Sequence, residues 1–104
     1  MGIASVANKG NVAVWATYSI RDCAAFVSME TYGGEVVRDK IFAAIANIPD
    51  THPLKHAELV QGKRNKNKWA WSLKHNIDKS DAGLVKWYAE TLLAVYAVME
   101  DMTI

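Results

Sequence analysis

The sequence contains one cysteine and two prolines in 104 residues, and it has no long uninterrupted hydrophobic run. The single Cys23 excludes an intramolecular disulfide, so packing must hold the fold together, as in proteins of a reducing cytoplasm. No charged segment followed by an apolar run opens the chain, which argues against a signal peptide. The most apolar stretch, residues 84–99, is interrupted by Lys86 and Glu90 and is too polar to span a bilayer. We therefore expect a soluble cytoplasmic protein with no membrane partner.

Apolar and aromatic residues are abundant. Hydrophobic residues make up 51% of the chain, with four tryptophans and four tyrosines. A chain of this length forms one domain and buries roughly two-thirds of the surface that it exposes when unfolded. The first ten residues are small and weakly patterned. We expect a flexible N-terminus over residues 1–10 and a single α+β domain over residues 11–104.

Two strands are predicted in the N-terminal half. Residues 12–18 are rich in β-branched and aromatic side chains, which is typical of a strand. Residues 24–31 fit a second strand, because the Tyr-Gly-Gly sequence at residues 32–34 would end it in a turn. The alternative for the same segment is a short helix that begins at Arg21 with Ser19 as its N-cap. We expect the strand.

Two helices are predicted from apolar residues at helical spacing. Residues 35–48 place such side chains along one helical face, and Pro49 ends this helix. A last helix, capped by Asp78 or Ser80, extends to about Met102 and has a wide apolar stripe. A stripe of that width indicates packing partners on more than one side.

A second hairpin is predicted between the two helices. Residues 56–61 and 68–76 are joined by a polar connection that contains Gly and Asn, which turns prefer. The predicted order is therefore ββαββα, two β-hairpins each followed by a helix. A four-stranded, mainly antiparallel sheet with both helices packed on one face would bury both helix stripes. Because residues 12–18 are apolar on both strand faces, a homodimer is a further expectation.

The overall charge conceals a segregated basic element. The chain has a net charge of +1, from twelve basic and eleven acidic residues. Residues 55–75, here called the basic hairpin, hold six basic residues and one acid, Glu58, so their net charge is +5 and the rest of the chain has −4. The six basic residues are Lys55, Lys63, Arg64, Lys66, Lys68 and Lys74. These six residues are the principal candidates for a binding site.

Aromatic residues follow the cations directly. Basic residues combined with aromatic platforms are typical of proteins that bind nucleic acids. Side chains alternate along a strand, however, so Trp69 and Trp71 point to one face and Lys68 points to the other. The two tryptophans are then core residues under the helices, and the outer face is basic without stacking aromatics. Such a surface favours phosphate contacts. An acidic protein partner, or a solvated hairpin tip with no ligand, is the alternative.

The residues capable of catalysis or metal binding form no specific motif. His52 and His56 have the spacing of metal ligands on a helix, but the intervening Pro53 argues against a helix there. With His75, they are interpreted as surface or hydrogen-bonded side chains. Cys23 is flanked by small apolar residues and is interpreted as a buried thiol rather than a nucleophile. We expect no catalytic residue, no metal, no cofactor and no enzymatic activity.

The last helix is a second candidate surface. Trp87, Tyr96 and Met99 are of types enriched at interfaces, although such residues at helical spacing also form cores. Our first hypothesis is a small non-enzymatic protein whose basic hairpin binds a polyanion, principally nucleic-acid phosphates. The alternative is a protein–protein interaction module, such as an inhibitor or adaptor of the phage or plasmid type. It would bind its partner through the hairpin or the last helix.

Overall fold

Five antiparallel strands form one sheet in the computed structural model, which describes residues 2–77 and 83–102. The strands are β1 (Gly2–Lys9), β2 (Val12–Ser19), β3 (Ala24–Thr31), β4 (Glu58–Gln61) and β5 (Trp69–Asn76). The helices are α1 (Gly34–Ala46), α2 (Leu84–Asp101) and a 3₁₀ helix (Pro53–His56). The order across the sheet is β1-β2-β3-β5-β4, so β3 is the central strand.

The predicted α+β class and the order of two hairpins each followed by a helix are confirmed. Residues 24–31 form a strand with the predicted bounds, so the helical alternative for this segment is wrong. The helix predicted over residues 35–48 begins and ends one to two residues earlier, at Gly34 and Ala46. The predicted caps of the last helix, Asp78 and Ser80, lie outside the described residues.

The sheet has one strand more than the four predicted. Residues 2–9, for which the sequence led us to expect a flexible N-terminus, form β1 and pair with β2 along its length. A two-residue turn, Gly10–Asn11, joins the two strands, and Gly10 has a φ of +59° that glycine adopts without steric cost. The residues of β1 are mostly small and weakly patterned, so the sequence did not predict a strand there. Pairing with β2 satisfies the backbone groups on one side of the segment.

Both helices pack on the same face of the sheet, as predicted. The ring of Phe42 in α1 meets Trp71 edge to face, with centroids 5.5 Å apart. Trp87 in α2 stacks on His75, with centroids 5.0 Å apart. Trp71 and His75 are four residues apart on β5, so their side chains share one face. That face is the helix-covered face, and the opposite one is called the open face below.

The core lies between the helices and this covered face. Val14, Met29 and Trp71 are cross-strand neighbours on β2, β3 and β5, and all three are buried. Ile41 of α1 and Met99 of α2 are fully buried against them. Burying each such side chain stabilises the fold by about 1.5–3 kcal/mol relative to its exposed state.

A hydrogen bond of Tyr88 helps to fix α2 to the edge of this core. The hydroxyl of Tyr88 in α2 donates a hydrogen bond to the carbonyl oxygen of Thr17 in β2. Burial raises the pKa of Tyr88 above its ordinary value of 10. The folded state therefore holds this proton more tightly than the unfolded chain does.

We expect Tyr88→Phe to lower the free energy of unfolding by about 1 kcal/mol at neutral pH, because it removes this hydrogen bond. The wild type should then lose stability as the pH rises past about 10, where the unfolded chain releases the Tyr88 proton first. The difference between the two proteins should accordingly shrink above pH 10. Urea unfolding from pH 7 to 11 measures both effects.

Tyr18→Phe is the matched control, since the Tyr18 hydroxyl makes no hydrogen bond within the described part of the chain. Equal effects of the two substitutions at neutral pH would contradict the assigned role of Tyr88.

Candidate functional site

The connection between β4 and β5, residues 62–68, is here called the basic loop. The side chains of Lys63, Arg64 and Lys66 are exposed on it. Within residues 2–77 and 83–102, none of these three cations is in an ion pair. The structure thus brings three of the six predicted basic residues together at one end of the sheet with their charges uncompensated.

Hydrogen bonds hold the basic loop in one conformation. The backbone N–H of Gly62 donates to the carbonyl oxygen of Lys68 over 2.8 Å, and that of Lys68 donates to Asn65 over 3.1 Å. The amide Nε2 of Gln61 donates to the carbonyl oxygen of Lys66 over 2.9 Å. These contacts reduce the ordering cost that a flexible loop would incur on binding a ligand.

The loop is also attached to the start of α1. The N–H of Gly34 donates to the carbonyl oxygen of Asn67 over 3.3 Å. Gly34 has a φ of +73°, a left-handed conformation that favours glycine. The Gly33-Gly34 pair therefore shapes the junction between β3, α1 and the basic loop rather than a phosphate-binding motif.

Lys68 differs from the other loop cations because it already has partners. Its Nζ lies 3.7 Å from Oε1 of Glu30 and 5.7 Å from the ring centroid of Tyr32. The hydroxyl of Tyr32 donates to Oε2 of Glu30 over 2.9 Å. Burial, and next the hydrogen bond and charge of Glu30, raises the pKa of Tyr32, so its hydroxyl stays neutral and remains a donor.

The two outer members of the predicted basic set lie apart from the loop. Lys74 is exposed on β5 and pairs across the sheet with Phe26, toward the other end of that strand. Lys55 lies in the 3₁₀ helix, where its Nζ donates to the carbonyl oxygen of Ala46 at the end of α1 over 3.4 Å. A cation at that position complements the helix dipole, which gives Lys55 a structural role.

The prediction for the β5 tryptophans is confirmed. Trp71 is buried against Phe42, and the guanidinium of Arg38 lies 4.8 Å from the ring centroid of Trp69. Both tryptophans therefore lie under α1 on the covered face. Arg38 also binds the carboxylate of Asp39 over 3.0 Å.

The open face nevertheless carries aromatic side chains, which the sequence analysis did not expect. They come from the neighbouring strands: Trp15 lies on β2, Phe26 on β3, and Tyr32 directly after β3. Trp15 pairs with Ser28 across the sheet, and the Ser28 hydroxyl is 3.3 Å from that of Ser72. A depression of about 250 Å³ is lined by Trp15, Thr17, Ser28, Glu30, Tyr32 and Lys68.

The alternation of side chains along β2 and β3 would have predicted that these aromatic residues lie on the open face. On β3, Val27 and Met29 alternate with Phe26 and Ser28, and on β2 Val14 alternates with Trp15. The prediction of the binding surface considered only the aromatic residues of the hairpin and therefore missed those of β2 and β3. The open face therefore carries aromatic, basic and acidic side chains rather than basic ones alone.

The three residues proposed for an interface on α2 have different environments. Met99 is fully buried, so it belongs to the core and offers no free surface. Trp87 is half-buried between His75 and Tyr88. Tyr96 is exposed, together with Val85 and Leu93 on the same helix. The free apolar stripe of α2 thus consists of Val85, Leu93 and Tyr96.

The remaining candidates from the sequence include His52 and Cys23, and the local fold accounts for the position of each. His52 accepts a hydrogen bond at Nδ1 from the N–H of Leu54 over 3.1 Å and so caps the 3₁₀ helix. Cys23 is exposed, contrary to the expectation of a buried thiol, because it occupies the last position of the β2–β3 turn with a φ of +48°. In the described ranges there is no cluster of three metal-ligating side chains and no helix able to cross a membrane.

No protein-family model matches the chain, and comparisons with curated proteins and with solved structures find no match either. Two surfaces are candidates: the basic loop with the adjoining open face, and the apolar stripe of α2.

The conformation of the basic loop requires glycine at residue 62. A Cβ added to Gly62 would lie 2.4 Å from the carbonyl oxygen of Asn65, which is closer than side-chain atoms approach a backbone oxygen. We expect Gly62→Ala to shift the loop and to lower the free energy of unfolding by about 1–3 kcal/mol, as overpacking does.

Thermal and urea unfolding measure this change. Lys63→Ala is the control, because Lys63 is the exposed neighbour and its truncation should alter stability by no more than about 0.5 kcal/mol. Equal stability of Gly62→Ala and the wild type would show that the loop is not held as described.

Proposed function

We propose that this chain is a small non-enzymatic protein that binds nucleic-acid phosphates through its basic loop. The observation that supports the proposal is the placement of Lys63, Arg64 and Lys66. All three are exposed and unpaired within the described residues, and they lie on a loop ordered by its own hydrogen bonds. A polyanion that binds such a loop releases counterions, which favours binding. Because the loop is already ordered, it loses little conformational entropy on binding.

Charge segregation adds to this attraction. The basic hairpin has a net charge of +5, and the rest of the chain has −4. The acidic remainder repels a polyanion from other surfaces, so the field orients the ligand toward the hairpin. The N-terminus of α1 lies at the same end as the loop, and the positive end of its helix dipole adds to this attraction.

The six basic residues contribute differently to this proposal. Lys63, Arg64 and Lys66 make the primary phosphate contacts, and Lys74 extends the positive surface along β5. Lys68 is partly neutralised by Glu30 and positions Tyr32. Lys55 holds the end of α1 and is not part of the contact surface.

We expect the triple variant Lys63→Ala, Arg64→Ala, Lys66→Ala to bind oligonucleotides more weakly and with less dependence on salt. Three fewer phosphate contacts reduce the slope of log affinity against log salt by about 2 to 3. Fluorescence anisotropy of labelled oligonucleotides at several salt concentrations measures both quantities.

The matched control removes two lysines and one arginine elsewhere: Arg21→Ala, Lys40→Ala, Lys86→Ala. All three residues are exposed and lie on the β2–β3 turn, α1 and α2. The control has the same net charge as the loop variant. If both variants lost the same affinity and slope, binding would depend on net charge and not on the basic loop.

The apolar stripe of α2 favours a second candidate, a protein–protein interaction module. Val85 and Leu93 are 78% and 69% exposed, and Tyr96 lies beside them on the same helix. Exposed apolar residues in one row on a helix mark interaction surfaces in soluble proteins. The simplest partner is a second copy of the chain, with α2 packed against α2.

For this candidate, Leu93→Glu should convert a concentration-dependent dimer into a monomer in sedimentation velocity experiments. Val36→Glu is the control, because Val36 on α1 is 70% exposed, as Leu93 is, but lies outside the stripe. A wild type that remains monomeric at the highest concentration measured would exclude self-association through α2.

A further inference from the structure

We propose that the ligand of this surface is a single strand, whose phosphates contact the basic loop while its bases stack on Trp15, Phe26 and Tyr32. This inference rests on the proposed function and specifies its substrate class. It is carried by the juxtaposition of an aromatic row on the open face with cations at both ends of that row.

The register of the sheet defines the row. Phe26 faces Thr17 across β2 and β3, Trp15 faces Ser28, and Tyr32 continues past the end of β3. The six residue steps from Phe26 to Tyr32 span about 20 Å of extended chain. The three aromatic residues therefore form a row along β2 and β3 on the face opposite the helices, with Phe26 on β3, Trp15 on β2 and Tyr32 past the end of β3.

The path has open space beside two of its three rings, Trp15 and Tyr32. The depression of about 250 Å³ lies between Trp15 and Tyr32, and Lys68 borders it. Tyr32 is 45% exposed, so part of its side chain is accessible to a ligand. Thr17, Ser28 and Glu30 complete the lining, so a base beside the rings would also meet polar groups.

Cations lie at both ends of the path. The basic loop adjoins Tyr32 through Lys68, whose Nζ is 5.7 Å from the Tyr32 ring. Lys74 faces Phe26 across β3 and β5 at the other end. Phosphates of a strand that crosses the rings would meet positive charge at each end.

Two acids share this face. Glu30 is compensated by Nζ of Lys68 at 3.7 Å and by the Tyr32 hydroxyl at 2.9 Å. Glu58 is exposed on β4, at the edge of the sheet and away from the aromatic path. Neither acid therefore places an uncompensated charge between the rings.

A duplex does not fit this arrangement. Its bases stack on one another, so their faces are not available to side chains, and its rigid backbone would touch only the loop. A single strand exposes each base face, and base–aromatic stacking is tolerant of sequence. We therefore expect preference for single strands with little preference among bases.

The experiment compares ten-nucleotide oligo-dT, oligo-U and a duplex DNA of the same length by fluorescence anisotropy. Tyr32→Ala should lose about 5- to 100-fold in affinity for the single strands, the range for one stacked base, and leave duplex binding unchanged. Val36→Ala is the control, because Val36 is 70% exposed on α1 and lies outside both the open face and the apolar stripe of α2. Comparison of oligo-dT with oligo-U distinguishes DNA from RNA as the source of the strand.

A second readout does not depend on an affinity change. Stacking on Trp15 should quench part of the tryptophan fluorescence when oligo-dT is added. Trp15→Phe retains an aromatic ring for stacking and should abolish that part of the quenching. Trp87→Phe removes a tryptophan of the covered face and should leave the quenching intact.

The outcomes separate this inference from the proposed function. Salt-dependent binding that is lost in the loop variant but is unchanged in Tyr32→Ala and equal for duplex and single strand would overturn the stacking inference alone. The absence of salt-dependent binding to every oligonucleotide would overturn the proposed function. A dimer that is disrupted by Tyr32→Ala would also contradict the inference, since the open face would then bind a second copy.

Discussion

The pairing of β3 with both of its neighbours determines which side chains this protein buries and which it presents. Every residue of β3 is paired with β2 on one side and with β5 on the other. Val27 and Met29 are fully buried on the covered face, which fixes the register, because a shift of one residue would exchange the two faces. The same register places Phe26 on the open face between Thr17 and Lys74.

Two helices can cover one face of a five-stranded sheet, and this limits what the other face can do. The covered face takes the large apolar side chains, including Trp71. The open face is left with side chains that tolerate contact with both water and a ligand. They include the aromatic rings, two serines, Glu30, Glu58 and the cations of β5 and the basic loop. A face of this composition next to an ordered cationic loop is the physical basis of the proposed function.

Most elements of the fold could be predicted from local sequence patterns. Each of three local patterns predicts its own element. The β-branched residues predict β2, the apolar stripe predicts α1, and the glycine after β3 predicts where that strand ends. β1 could not be predicted in this way, because its small residues have weak propensity and its pairing with β2 depends on the turn at Gly10. Alternation alone also placed Trp69 and Trp71 correctly under the helices.

The candidate site was only partly predictable, because it is assembled across strands. The cations at Lys63, Arg64 and Lys66 were evident from their clustering in the sequence. The engagement of Lys68 by Glu30, 38 residues earlier in the chain, requires the register of β3 against β5. The same holds for the approach of Tyr32 to the loop.

We propose that one continuous surface, the basic loop and the open face, binds a single-stranded nucleic acid. The most direct test is to map amide chemical-shift changes of isotopically labelled protein during titration with a short oligo-dT. We expect the changes to cluster on residues 62–68, on β2 and on β3, with α2 unaffected. Changes confined to α2, or no changes at saturating oligonucleotide, would show that this surface is not the binding site.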